Sequence, residues 1–298
     1  MSLFELNNKD LDVKIKSRLS ESFKEDFNFK ARFNGIPKSV MEFNKSSELM
    51  NLIEGDKTEL NDVTQGKAKK RGGGYASDMK YSTYNPDQAY FIIDYYTKRG
   101  DVILDPFSGR GTRPVITSLL ERNYIGYDTS KETLHHNRRL LEKLPHSNTT
   151  LIHGDGTLLS DIQDRQIDAV FTCPPYYDKE VYSGEPGDLS HMSYTEFDNR
   201  INYMFSRLSK IVKFSDYKDK EFHPVIITVG THRQGDKGVI DMEHVFTRMA
   251  ENNGFVLHDK LITVNRAPGQ AFVFRRNYEY GFLTKTHETT LIYLLYNK

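Results

Sequence analysis

From residue 85 onward, short apolar runs alternate with longer amphipathic stretches. That alternation predicts a mostly parallel sheet covered by helices. The apolar runs at 101–105, 124–128, 150–155, 168–172, 225–230, 256–264 and 289–296 predict seven strands. Amphipathic stretches at 87–100, 111–123, 131–144, 195–212 and 241–254 predict helices, with Gly100 and Gly254 standing where a helix C-cap would. No helical stretch separates the last two strands, so they are expected to form an antiparallel pair at one edge of an open, doubly wound sheet.

Residues 1–66 differ in character: polar, with scattered helical periodicity and little sign of strands. They are expected to form a mainly helical extension. Residues 67–84 carry Lys67, Lys69, Lys70 and Arg71 beside Gly72, Gly73 and Gly74. This basic, glycine-rich connector reads as a solvated linker, with nucleic-acid contact as the alternative. The folded domain is placed at 85–298.

Composition narrows the class. With 298 residues and 37% hydrophobic side chains the chain can build one large core and a small appendage. No apolar run approaches the roughly 18 residues of a spanning helix, and the opening residues lack a signal-peptide succession, so a cytoplasmic protein is expected. Cys173 is the only cysteine, which excludes an intramolecular disulfide and a cysteine-rich zinc cluster. The ten histidines show no ligand spacing, His135 and His136 falling on a predicted solvated helix face, and no metal is expected. Formal net charge is zero, so a polyanionic partner would have to meet local basic patches.

The candidate chemistry gathers at the carboxyl ends of the strands. The first strand ends at Asp105 and runs through Pro106, Phe107, Ser108, Gly109 and Gly111 to Thr112 at the head of a helix. Two glycines allow a sharp turn and close approach of backbone to ligand, and a helix start offers amide hydrogens. Asp128 ends the second strand, at the offset where an acid bridges ribose hydroxyls; a helix N-cap is its alternative role. Asp155, followed by Gly156, ends the third. In doubly wound sheets such positions face one crevice. An acid leading the glycine turn suits a ligand with a cationic end, which favours S-adenosylmethionine over a dinucleotide.

The fourth strand ends in Thr172, Cys173, Pro174, Pro175, Tyr176 and Tyr177. The prolines stiffen the turn, leaving carbonyl oxygens as acceptors, and a tyrosine face can stack on a planar base with an exocyclic amine.

The stretches DPFSGRGT and TCPPYY, with GYD and GD between them, resemble the cofactor and catalytic motifs of amino-directed DNA methyltransferases, and DKEVYSGEPGDLSHMSYTEF, VGTHRQGDKG and KTHETTLIYLLY are similar to stretches in bacteriophage and prophage methylases. The resemblance covers roughly residues 70–298 and implies a Rossmann-like methyltransferase domain over 85–298. It implies transfer of a methyl group from S-adenosylmethionine to adenine N6 or cytosine N4 of a flipped or unpaired DNA base, in a bacterial or phage-infected cytoplasm. Residues 81–101 resemble the segment that closes over the methionine end of the cofactor, which brings Tyr84 into the cofactor set. One position departs from the pattern. Where the family places an oxygen acceptor before the two prolines, this chain has Cys173, a weak acceptor that either orients the target amine or is an inert buried thiol; a covalent role fits the proline context poorly.

Phosphate and base contacts are expected from Tyr177, from Arg233 and Lys237 after the fifth strand, and from Arg266, Arg275 and Arg276, which are interleaved with aromatic residues between the last two strands. The competing functions are an RNA amine methyltransferase and a non-catalytic nucleic-acid-binding module on the same fold.

Overall fold

The computed structural model describes residues 37–43, 53, 84–144, 147–175, 187–233, 238–264, 278–283 and 285–297, with the side chains of residues 232 and 233 excepted. In chain order the elements are β1 (Val40–Glu42), α1 (Pro86–Tyr96), β2 (Val102–Asp105), α2 (Thr112–Leu119), β3 (Asn123–Asp128), α3 (Lys131–Leu141), β4 (Thr149–His153) and β5 (Ala169–Thr172). They continue with α4 (Tyr194–Ile211), β6 (Val225–Val229), β7 (His232–Arg233), β8 (Val239–Ile240), α5 (Met242–Asn252), β9 (Phe255–Val264) and β10 (His287–Leu295).

The main sheet has the order β1-β9-β10-β6-β5-β2-β3-β4, and β7 pairs with β8 in a separate ribbon. Every neighbouring pair is parallel except the two made by β10, which runs antiparallel to both β6 and β9. The doubly wound, mostly parallel sheet is therefore as expected, with two differences. Among the described residues the main sheet has eight strands, because β1 adds to β9 in parallel, and the antiparallel strand lies between β6 and β9. β1 comes from the stretch expected to be mainly helical. Three residues are too few to show a periodicity, and their pairing depends on the edge that β9 offers.

Side-chain alternation divides the core. Ile103, Ala169, Phe171, Ile226 and Ile292 face one layer with α1, α2 and α3 residues such as Ile92, Ile116 and Leu140. Leu104, Val170, Val225, Ile227 and Leu291 face the other, against Phe197, Phe205 and Phe246 of α4 and α5. Successive strand residues point to opposite faces, so a strand buried on both reads as an unbroken apolar run. Phe43 and Ile53 from the N-terminal stretch also enter the first layer.

Local signals set the helix starts. Asn85 caps α1, Ser130 caps α3, Asp241 caps α5, and Ser193 with Glu196 forms a capping box on α4. Among these α-helices α2 alone begins without a side-chain cap of its own, its N-cap being Gly111. Gly254 follows α5 with φ +86, whereas α1 ends at Thr97 and Gly100 belongs to the turn that feeds β2. Among the described residues no helix is long and apolar enough to cross a membrane.

Candidate active site

The register brings the expected chemistry to one edge. Asp105 at the end of β2 is level with Gly126 in β3, Asp128 with His153 in β4, and Thr172 in β5 with Ile227 in β6. Loops leaving these strands share the crevice above the sheet.

Asp105 is fully buried and accepts four hydrogen bonds. Its Oδ1 takes the Phe107 amide at 3.1 Å and the Thr172 hydroxyl at 2.6 Å; its Oδ2 takes Arg113 Nε at 2.6 Å and the Tyr124 hydroxyl at 2.7 Å. A carboxylate has about four lone-pair sites, so this one is saturated. Its charge is matched within the site by Arg113. That guanidinium also donates to the carbonyls of Phe107 at 2.5 Å and Ser108 at 3.2 Å, and lies 5.5 Å from the ring centroid of Tyr84 and 5.9 Å from that of Phe171. Burial is the largest influence and opposes its charge, but Asp105, Tyr124 and Cys173 together outweigh it and hold the pKa above its ordinary value. Burial and the adjacent Asp105 charge push the Tyr124 phenol well up, so it keeps the proton it donates.

The glycine turn is held from three directions. The Ser108 amide donates to the Tyr127 carbonyl at 2.7 Å, the Gly109 amide to Asp128 Oδ2 at 2.9 Å, and the Gly111 amide to Asn137 Oδ1 at 2.7 Å. Gly109 and Gly111 have φ of +54 and +43, in the left-handed region that favours glycine. A Cβ on Gly111 would also stand 2.6 Å from Leu140 Cδ1. With these amides engaged the turn is a poor nest for phosphate, which needs free N–H groups.

Asp128 keeps acceptor capacity. One oxygen takes the Gly109 amide and the other the Ser130 amide at 2.8 Å, which leaves lone pairs on both for hydroxyl donors. It does not cap α3; Ser130 does. Burial raises its pKa, opposed by the two amides.

Asp155 is placed differently. Its Oδ1 takes the Thr157 amide at 2.9 Å and hydroxyl at 2.5 Å, and its Oδ2 pairs with Arg200 of α4 at 2.8 Å. Gly187 crosses directly over it, since a Cβ there would come within 2.8 Å of Asp155 Cβ. Asp155 thus ties α4 and the chain at 187 to the loop after β4. Gly156 presses that loop against the first, a Cβ at this position falling 1.9 Å from the Pro106 carbonyl oxygen.

Pro174 is buried and Pro175 and Cys173 half-buried immediately beyond β5. The Thr172 hydroxyl donates to Asp105 and so joins the end of β5 to the glycine loop, while its oxygen keeps lone pairs for accepting. Tyr84 places its hydroxyl 2.9 Å from Thr228 Oγ1, its carbonyl accepts from Thr112 Oγ1 at 3.2 Å, and its ring meets Phe171 edge-on at 5.6 Å. Arg233 lies on β7, its side chain outside the described residues, as are Tyr176, Tyr177, Lys237, Arg266, Arg275 and Arg276.

Sequence reasoning missed Arg113, Tyr124, Asn137 and Arg200. The signal for Arg113 was a cation in the first turn of α2, disfavoured by the helix dipole and surrounded by buried positions. For Asn137 it was an amide in line with Leu134 and Leu140 on the buried face of α3.

Residues 37–139 match the family model described as DNA methylase. The chain is 40% identical over 88 residues to the Type II methyltransferase M2.DpnII of Streptococcus pneumoniae, covering 29% of this chain and 32% of that protein. It is 37% identical over 89 residues to the Type II methyltransferase M2.LlaDCHI of Lactococcus lactis subsp. cremoris, covering 30% and 32%. The matched stretch thus spans about a third of the length of these curated relatives. Among solved structures, TrmN from Thermus thermophilus aligns with a TM-score of 0.49 and 12% identity, over 72% of this chain and 50% of that chain. The part of the site built from Asp105, the glycine turn, Asp128 and Asn137 therefore lies within a stretch that matches the DNA methylases, in keeping with the resemblance to amino-directed DNA methyltransferases.

Proposed function

We propose that this protein methylates the exocyclic amine of adenine (N6) or cytosine (N4) in DNA, with S-adenosylmethionine as donor. The observation that carries the reading is the 2.6 Å hydrogen bond from Thr172 to Asp105, which ties the Cys-Pro-Pro turn to the glycine turn at adjacent strand ends. The residues present fit that cofactor. Asp128 retains acceptors for a ribose diol, and the engaged amides of the turn suit a nucleoside without phosphates. Phe107, Thr112 and Tyr84 border the same turn.

When bound, S-adenosylmethionine supplies a methyl group made electrophilic by its sulfonium. The chain's part is to hold the target amine in line with that methyl. An amine conjugated with a base ring is a poor nucleophile, and main-chain oxygens of the proline turn accept its protons, drawing the lone pair toward the methyl. The new N–C bond forms as the C–S bond breaks, and the amine proton passes to solvent. The base must be flipped or unpaired to reach a strand tip, with Tyr176 as its stacking face. The basic residues 233, 237, 266, 275 and 276 take the flanking backbone. The catalytic unit is residues 85–298, and it works in a bacterial or phage-infected cytoplasm.

The test is incubation with labelled S-adenosylmethionine and, separately, duplex DNA, single-stranded DNA and RNA, followed by nucleoside mass spectrometry. Methyl-adenine or methyl-cytosine from DNA is expected. Label in RNA alone would replace the substrate, and cofactor binding without any transfer would make the protein a binding module.

A further inference from the structure

Asn137 has no place in the chemistry above, yet it is the best-bonded amide of the site. It is fully buried on α3, on the face that carries Leu134, Leu140 and Leu141. A buried amide is costly unless both ends are bonded. Its Oδ1 accepts from the Gly111 amide at 2.7 Å and its Nδ2 donates to the Gly109 carbonyl at 2.8 Å, with Ser108 Oγ at 3.5 Å. It thereby supplies from another helix the cap that α2 lacks. Both glycines are free of side-chain restraint, so these two bonds set the direction of the peptides between them. The adjoining Ser108–Gly109 peptide donates its Gly109 amide to Asp128 Oδ2 at 2.9 Å, while its Ser108 carbonyl accepts from Arg113 Nη2 at 3.2 Å.

We infer that Asn137 is a positioning residue for the cofactor: by clamping Gly109 and Gly111 it aims the Gly109 amide at Asp128 and so presents the Asp128 carboxylate to the ribose. The inference rests on the reading of the site as an S-adenosylmethionine pocket. It has a signature that a packing role lacks. The Gly109 and Ser130 amides oppose the rise that burial imposes on the Asp128 pKa; among the charged groups facing Asp128, Asp105 adds to the rise and Arg113 opposes it. His153, level with Asp128 on β4, turns its ring nitrogen to the Thr129 carbonyl at 3.1 Å. If the clamp is lost, the Gly109 amide no longer helps, and Asp128 binds its proton at higher pH.

The experiment measures S-adenosylhomocysteine affinity across pH, with KM for the cofactor and kcat, for the parent protein, Asn137→Ala, Asn137→Asp and the packing control Leu134→Ala. Asn137→Ala should weaken cofactor binding about tenfold, the worth of one to two hydrogen bonds. It should leave kcat at saturating cofactor nearly intact and move the pH midpoint of binding upward. Asn137→Asp keeps the volume and the Gly111 acceptor but not the Gly109 donor, so it should raise KM even if the alanine variant does not fold. Leu134→Ala should lose stability while keeping KM and the pH midpoint. Parental KM in both Asn137 variants, or an equal shift in Leu134→Ala, overturns the inference. Failure of the parent to bind S-adenosylhomocysteine would instead remove the cofactor reading on which it stands.

Discussion

Thr172 and Asp105, 67 positions apart, are joined at 2.6 Å where β5 and β2 end side by side. The bond sets the spacing between the two turns that would bring methyl donor and base together, and both groups are fully buried. A hydrogen bond to a buried charge contributes about 2 kcal/mol. Thr172→Val, similar in shape, should lose roughly that much in urea unfolding. Its kcat should fall more than its cofactor affinity, and Thr172→Ser should restore both. A valine variant with parental kcat would show that the spacing does not depend on this bond.

Arg113 is the counter-charge that lets Asp105 lie at zero exposure. Breaking a buried pair by removing one partner costs about 3–5 kcal/mol, whereas removing both costs much less. Arg113→Met should therefore be severely destabilised, and Asp105→Asn combined with it should recover part of the loss. Chemical denaturation of the two single variants and the double variant measures the coupling. Additive losses would mean that the pair is not the unit described.

Asp128 gives the site a pH dependence of definite sign. Its carboxyl is raised above the ordinary value by burial, and only the ionised form accepts two hydroxyls. Cofactor affinity should be constant above the raised pKa and fall as pH drops through it, at a higher pH than an exposed aspartate would give. Asp128→Asn should flatten that dependence and bind about tenfold more weakly, because an acceptor is lost. Calorimetric titration across pH reads both effects, and an unchanged profile in Asp128→Asn would assign the titration elsewhere.

Two glycines should respond unequally to alanine. At Gly156 the added carbon would fall 1.9 Å from the Pro106 backbone oxygen, so the two loops that cross there must separate. At Gly109 the nearest neighbours are Arg113 Nη2 at 3.7 Å and the Phe107 carbonyl at 3.8 Å, and only the positive φ is unfavourable. Gly109→Ala should cost about 1–2 kcal/mol and remain folded. Gly156→Ala should cost more and depress expression, as compared by thermal melting.

The strands β2, β5, β6 and β10 were legible because each is buried on two faces and reads as an apolar run, and the helices because their buried faces repeat at helical spacing. β1 was not, since its partner β9 lies more than 200 residues away and three residues carry no pattern. Within the site, position along the strands was legible and partnership was not. That Arg113 pairs with Asp105 was hidden because it stands eight residues later in a helix that otherwise reads as core. Asp155 looked equivalent to Asp128 because each ends its strand; that Arg200 claims it depends on how α4 returns across the sheet. The amide of Asn137 was hidden among the charged and histidine residues of its helix.

The reversed course of β10 has a consequence for how such a protein diversifies. Because β10 descends between β6 and β9, β9 ends and β10 begins on the rim shared with Asp105, Asp128 and Thr172. Lengthening or exchanging the connection between them leaves the strand order and both core layers untouched. The rim can therefore take on a different loop while the residues beneath it keep their places.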